Sequence, residues 1–490
     1  MEIVILTSII VSSVIFLGIG FTTSSKNKSL SDFIPITLGK SHVRNSTEFS
    51  ASTVATTVSL ATIVISYFQL AGYFGMWLLW TVLTTAIGMF WLSKVSPLIL
   101  KKLAAYDHRP SLHEYLGSEY ASGIVKVVGA ICSSVGFLLI FATELLVGSR
   151  FLAFLVPSIP EWITVLTLSL VSVVYTFLGG YRAVIKTDNI MMNAIWALII
   201  AFFVFIGYGI FTADLGQLSA IPTTALDFSN RDGLIWFLVG IAIMNIPTHI
   251  SNMSIWQRIG ASSDQGVVNN GLKRSTWMIA MAWGFLAVVS VLGMAFVNPE
   301  DNTTYLYQFL QVFSSSTFGL ILLFIITVGL YAAMLSTAST LLIATVHTFY
   351  EDVIANFRSE EVAKKITAKG EFRTARITII IATIIAVALV EGLKLIGFSI
   401  SDLVFAIYGG ALALFPPILL SLYLPSERLH QYSKRASIGV VLGFIVGWGM
   451  AIVGKIIGDD NMIFLSPTFG IAASALMLWL GSFKDKPLGS

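Results

Sequence analysis

Ala333, Ser336, Thr337 and Thr340 recur at spacings that place them on one face of a helix. Three of the four carry hydroxyls and none carries a charge. Neutral oxygens of this kind, joined by carbonyls from a loosened stretch of backbone, suit a hard monovalent cation held weakly. Zinc or copper would ask for Cys or His. The competing reading is a packing seam whose hydroxyls bond back to the preceding turn. Spacing alone leaves both open.

A few ionisable or amide side chains join them. Glu144 lies deep in an apolar run, between Phe141-Ala142-Thr143 and Leu145-Leu146-Val147. A carboxylate at membrane depth costs about 2.5–3.5 kcal/mol or more, so it must face protein. It hints at a cargo with a positive group, or at a proton-sensitive site. Asp188 reads either as a carboxylate favoured by a helix N-terminus or as added charge for the cation site. His249 is either a donor to a carbonyl or a ligand for cargo, and Gln69 is a further candidate cargo contact.

The elements that must hold these residues are long and apolar. Hydrophobic residues make up 56% of the 490, charged ones 11%, and the mean hydropathy is +0.86. A soluble chain carries about 25% charged residues. Runs long enough to span a bilayer fall near 3–21, 46–72, 76–100, 123–156, 161–178, 187–212, 233–256, 275–297, 317–350, 374–391, 402–424, 436–457 and 463–482, about thirteen in all. Most Lys and Arg fall in every second gap, such as Lys101, Lys102 and Arg109, or Arg258, Lys273 and Arg274. The alternate gaps carry Asp227 and Asp232, Glu300 and Asp301, and Asp459 and Asp460. That rhythm predicts a multi-pass protein of the cell (inner or plasma) membrane, N-terminus outside and C-terminus cytoplasmic. The first run lacks a basic leader and a small-residue cleavage pattern, so it reads as a retained helix. The net charge of +3 belongs to the loops and gives no reason to expect nucleic acid. One cysteine, Cys132, excludes a disulfide framework. With no clustered nucleophile, base or metal set, the chain is not expected to be an enzyme.

Two runs are too polar to be ordinary spans. Run 46–72 is crowded with Ser and Thr, and the seventh carries Asn245, Pro247, Thr248, His249, Ser251 and Asn252 within eight residues. Proline removes a helical hydrogen bond, and irregular backbone survives at this depth only where protein or a cavity covers it. Two broken helices five spans apart are what an inverted five-helix repeat gives, and broken helices are where such transporters bind cargo. Tyr67, Phe68 and Trp77 are candidates to close over cargo.

The stretch Tyr175-Thr176-Phe177-Leu178-Gly179-Gly180-Tyr181-Arg182-Ala183-Val184-Ile185-Lys186-Thr187-Asp188 resembles a signature of the sodium:solute symporter family, which includes sodium/glucose, proline, pantothenate and sialic acid symporters. Gln257-Arg258 and the ninth run through Asp352 resemble its other two, and the likeness runs over nearly the whole chain. The glycine pair also has a local reason: a tight turn in which a side chain would not fit.

The resemblance implies an all-α polytopic membrane protein with a LeuT-like inverted-repeat core, forming a single transporter domain over 1–490. An extra helix at 3–21 would precede repeats at 46–212 and 233–424, and two helices at 436–482 would follow. It implies sodium held by the carbonyls of Ala55, Val58 and Ala333 and the hydroxyls of Ser336 and Thr337. A second sodium would use Ser336, Ser339, Thr340 and Asp188, and the matching cargo positions are Ser59 and Thr62. Departures are informative. Thr57 stands where proline symporters carry Asp, Phe141 or a neighbour where a sialic acid symporter carries Arg, and Met191 where Gln is usual.

The expected function is sodium-coupled import of a small polar organic solute by alternating access, carried out by a monomer in the lipid bilayer. The rivals are a proton-coupled carrier on the same fold and a substrate sensor that moves nothing.

Overall fold

The computed structural model describes residues 1–24, 29–36, 41–212, 221–297, 302–354, 356 and 368–480. Two of the charged residues used above, Glu300 and Asp301, lie outside them. Among the described residues the chain is helical throughout, with one isolated bridge between Val43 and Ser262. Among the described residues ten helices are long and apolar enough to cross a membrane, against the about thirteen runs in the hydropathy. Two of the ten segments are too long for one crossing: Leu60–Leu103 with 44 residues and Glu161–Phe211 with 51. Large apolar side chains such as Ile10, Phe90, Leu170, Ile200, Trp277, Ile384 and Ile445 stand exposed. Such an exterior suits lipid rather than water.

α1 (Glu2–Ser24) lies against the central helices: Ser13 Oγ is 2.7 Å from Tyr331 Oη. α2 (Ser46–Thr57) ends at Val58, and a π-helical stretch, Leu60–Ile65, leads into α3 (Ser66–Phe74). α4 (Leu79–Leu103), the short α5 (Leu112–Glu119) and α6 (Gly123–Leu155) follow. α7 (Glu161–Thr212) is two crossings joined at Gly180. α8 (Leu234–Ser251) and α9 (Met253–Ala261) make the second broken helix. Then come α10 (Gln265–Leu292), α11 (Thr317–Thr348), α12 (Ala368–Ile396), α13 (Ile400–Ala411), α14 (Phe415–Tyr423), α15 (Ser433–Ile457) and α16 (Ser466–Trp479). α11 is the axis of the bundle: every residue from Gly329 to Thr348 is buried.

Both anticipated breaks exist, but the second is not where proline suggested. Pro247 sits inside α8, and the chain leaves the helix at Asn252, with ψ 110°. The Thr248 hydroxyl donates to the Met244 carbonyl in the turn that Pro247 disturbs, which keeps that turn closed. Asn252 opens α9 instead. Its Oδ1 accepts from the Ser254 N–H at 2.9 Å and from Ser254 Oγ at 2.7 Å, an N-cap that ends one helix by starting another.

The turn at Gly180 has φ 59° and ψ −159°, a region open only to glycine. A Cβ there would also stand 2.7 Å from the Phe33 carbonyl oxygen. Gly180→Ala is therefore expected to lower stability by about 2–4 kcal/mol, read as a lower thermal midpoint of the purified protein. An unchanged midpoint would mean that the two halves of α7 can meet another way.

Candidate sodium and cargo sites

The site begins where α2 stops. Its last helical bond runs from the Val58 N–H to the Val54 carbonyl, which leaves the following carbonyls to find other partners. α11 provides donors. Ser336 Oγ donates to the Ala55 carbonyl at 2.7 Å and to that of Ala333 at 3.1 Å. Thr337 Oγ1 donates to the Thr56 carbonyl at 3.1 Å. The hydroxyls of Thr340 and Thr56 are 3.2 Å apart. Ser336, Thr337, Ser339 and Thr340 are all buried, so the hydroxyl stripe faces the broken helix and not the apolar exterior. A hydroxyl that donates to a carbonyl here can turn its proton aside and offer both oxygens to a cation.

The far side of the break has its own cap. Ser59 Oγ accepts from the Thr62 N–H at 2.9 Å and donates to Glu144 Oε1 of α6. The same carboxylate accepts from the Ala61 N–H at 3.3 and 3.4 Å. Glu144 is 0% exposed. It stands at the N-terminal end of the Leu60–Ile65 stretch, where its oxygens meet the free amides of a helix start.

Below the break, Asp188 lies well inside the second half of α7 rather than at a helix start. Its Oδ2 accepts from Ser52 Oγ at 2.5 Å. Its Oδ1 is buried without a partner among the described residues. Arg258 of α9 reaches the same place: Nε donates to Ser52 Oγ at 2.9 Å, and Nη2 to Thr56 Oγ1 at 2.6 Å and Thr340 Oγ1 at 3.3 Å. A buried guanidinium thus ties α9 to α2 and α11, next to the Ser339 and Thr340 positions. At the N-terminus of α2, Glu48 accepts from Arg182 through both oxygens, at 2.6 and 2.8 Å, a bidentate pair that fixes α2 to α7.

A central cavity of about 100 Å³ lies between α2–α4, α6, α8, α10, α11 and α13, room for several waters at about 10–15 Å³ each or a small solute. Thr62 and His249 line it, as do Tyr67 and Thr337. Ser59 and Glu144 are not among its lining residues. Gln69 lies further along: its Oε1 accepts from the Ser401 N–H at 3.3 Å, and it borders a separate vestibule with Arg231, Asp402 and Lys455. Leu70 and Ser401 border both spaces. Of the suggested closing aromatics, Tyr67 reaches the cavity. Phe68 packs into a cluster with Phe202, Tyr305 and Phe309, and Trp77 Nε1 donates to the Ser229 carbonyl at 3.1 Å.

Arg258 is not among the site residues the sequence suggests, nor are Thr85 and Trp283, whose side chains border the cavity and whose buried polar atoms have no partner among the described residues. The Gln257-Arg258 pair was the signal for the first. A Thr and a Trp in apolar runs gave none.

A model of the sodium:solute symporter family matches residues 47–443. No curated protein sequence matches the chain. Among solved structures, the chain is similar to a Na⁺-coupled sialic acid symporter in a substrate-bound outward-open state, with TM-score 0.75 and 17% identity over 99% of this chain and 98% of that one. It is also similar to Mhp1, a nucleobase-cation-symport-1 family transporter, in a closed conformation with bromovinylhydantoin bound (TM-score 0.57, 13% identity, 94% and 97% covered). A manganese transporter of Eremococcus coleocola gives TM-score 0.55 and 15% identity over 93% and 98%. At such identities the likeness carries the fold, the LeuT-like arrangement of helices.

Proposed function

We propose that this chain, which belongs to the sodium:solute symporter family, imports a small polar organic solute by alternating access. Sodium is the coupling ion, and the protein is a multi-pass membrane protein. The basic end of the bundle faces the cytoplasm, with the N-terminus outside and about thirteen crossings. The observation that carries the reading is the meeting of Ser336 and Thr337 with the carbonyls of Ala55 and Thr56 at the break in the first broken helix. That junction offers neutral oxygens from two elements that a rocking motion would separate, so ion binding and gate position are coupled. Val58 and Ala333 complete the proposed set. A second sodium beside Asp188, Ser339 and Thr340 is supported by the Asp188 Oδ1, which has no partner among the described residues, and would share its space with Arg258.

Each sodium crossing 100 mV supplies about 2.3 kcal/mol. With about 1.4 kcal/mol for each factor of ten, one ion accumulates cargo more than tenfold and two more than a thousandfold. Thr62 and His249, which line the cavity, are the proposed cargo contacts. Gln69 would meet cargo only in the vestibule, and Ser59 and Glu144 would act through the backbone they hold.

The test is the thermal midpoint of purified protein in sodium against potassium, followed by uptake into proteoliposomes of whatever solute adds to the sodium effect. Sodium-specific stabilisation and sodium-gradient-driven uptake are expected. Uptake that survives sodium removal and follows an imposed pH gradient would make the protein a proton-coupled carrier. Binding without uptake would make it a sensor.

A further inference from the structure

The cavity wall is mostly apolar, with polar groups but no charge. Among the described residues that line it there is no Asp, Glu, Lys or Arg. The acid and base that come near are turned elsewhere. Glu144 is spent on Ser59 and the Ala61 amide. Arg258 is spent on Ser52, Ser254, Thr56 and Thr340. Three residues of the wall instead each carry a side-chain atom that is buried and has no partner among the described residues: Thr85 Oγ1 of α4, His249 Nε2 of α8 and Trp283 Nε1 of α10. Buried polar atoms are normally paired, and three orphans from three helices around one cavity mark what an occupant would satisfy. Trp283 can only donate, whereas Thr85 and neutral His249 can donate or accept. Between them the wall is apolar, with Ile63, Phe137, Ile140, Ile241, Met244 and Phe405.

We infer that the cargo is an uncharged solute with an apolar body and a hydrogen-bonding edge that includes an acceptor, such as a carbonyl oxygen, for the Trp283 N–H. The inference rests on the symporter reading above and narrows it. A carboxylate has no basic side chain to meet. The amides at the start of the Leu60–Ile65 stretch, which would otherwise attract it, already carry Glu144 and Ser59. A cationic cargo has no carboxylate on the wall and would sit beside the proposed sodium, because Thr337 belongs to both places. Zwitterionic amino acids and sugar acids fall outside the class for the first reason, and organic ammonium ions for the second.

The experiment pairs neutral probes with charged counterparts in a thermal-shift panel: nicotinamide with nicotinate, uracil with orotate, glucose with gluconate, and choline as a cation. Each is measured in sodium and in potassium. Sodium-dependent stabilisation is expected from at least one carbonyl-bearing neutral probe and from no charged one. Stabilisation by nicotinate, orotate, gluconate or choline overturns the inference, and so does a panel in which neither nicotinamide nor uracil acts. Sodium without any probe is the separate control: if sodium alone fails to stabilise the protein, it is the symporter reading that falls. Trp283→Phe keeps the ring and removes the N–H. It is expected to weaken the active probe at least tenfold while the sodium-only shift stays as before. Unchanged probe affinity in that variant overturns the role given to the indole.

Discussion

Glu144→Ala is expected to be the most damaging single change in the chain, and to act on the fold before it acts on cargo. The carboxylate is fully buried and holds both the Ser59 hydroxyl and the Ala61 N–H at the point where the first broken helix reopens. Removing it leaves a hydroxyl and an amide without their acceptor in a fully buried place. Leaving a buried donor unsatisfied costs about 1–3 kcal/mol, and two donors are stranded. A loss of about 3 kcal/mol or more, with no measurable uptake, is the expected result. Glu144→Gln should recover most of the stability, because its amide oxygen still accepts from Ala61 and its NH₂ can donate to Ser59 Oγ. Thermal midpoints of the two variants decide the matter. If Glu144→Ala keeps the parent midpoint and only weakens cargo, the carboxylate is a cargo ligand after all and the capping role is wrong.

That difference of role was beyond what the sequence could express. A carboxylate among Phe141, Leu145 and Leu146 announces that it must face protein. Whether it meets cargo or backbone depends on where another helix opens, and that point, Val58-Ser59, is set by contacts between residues about eighty positions apart. The break itself was legible, because a run so crowded with hydroxyls is a poor ordinary span. The stripe on α11 was legible too, since a helical period needs no partner to be read. The second break falls at Asn252, the end of the polar stretch that begins at Asn245, and not at Pro247, because the Thr248 hydroxyl bonds the Met244 carbonyl and Asn252 caps the next helix. The order Asn-Met-Ser is itself an N-cap pattern, so that position was available from sequence. In the sequence Arg258 stands among the basic gap residues and in the Gln257-Arg258 pair, and neither says that it is buried. Its burial against Ser52 and Thr340 follows only once α9 folds inward beneath the break.

Loss of sodium dependence without loss of fold is the expected signature of Ser336→Ala and Thr337→Ala. Each removes one neutral oxygen from the junction of α2 and α11 and leaves helix propensity and packing nearly intact. A contact to a charged partner is worth about 1.5–3 kcal/mol, so the sodium concentration for half-maximal uptake should rise tenfold or more. The two variants should differ in a second way. Ser336 bridges the Ala55 and Ala333 carbonyls and does not line the cavity, so its effect on cargo should vanish at saturating sodium. Thr337 belongs to the cavity wall as well, so part of its cargo defect should persist there. Thr337→Ser, which keeps the oxygen, should restore sodium dependence to near that of the parent. The readout is initial uptake against sodium concentration at several cargo concentrations, because reciprocal coupling makes each ligand strengthen the other. If both alanine variants keep the parent's sodium curve, the hydroxyls at this junction are a packing seam between two helices, and the ion must bind elsewhere in the bundle.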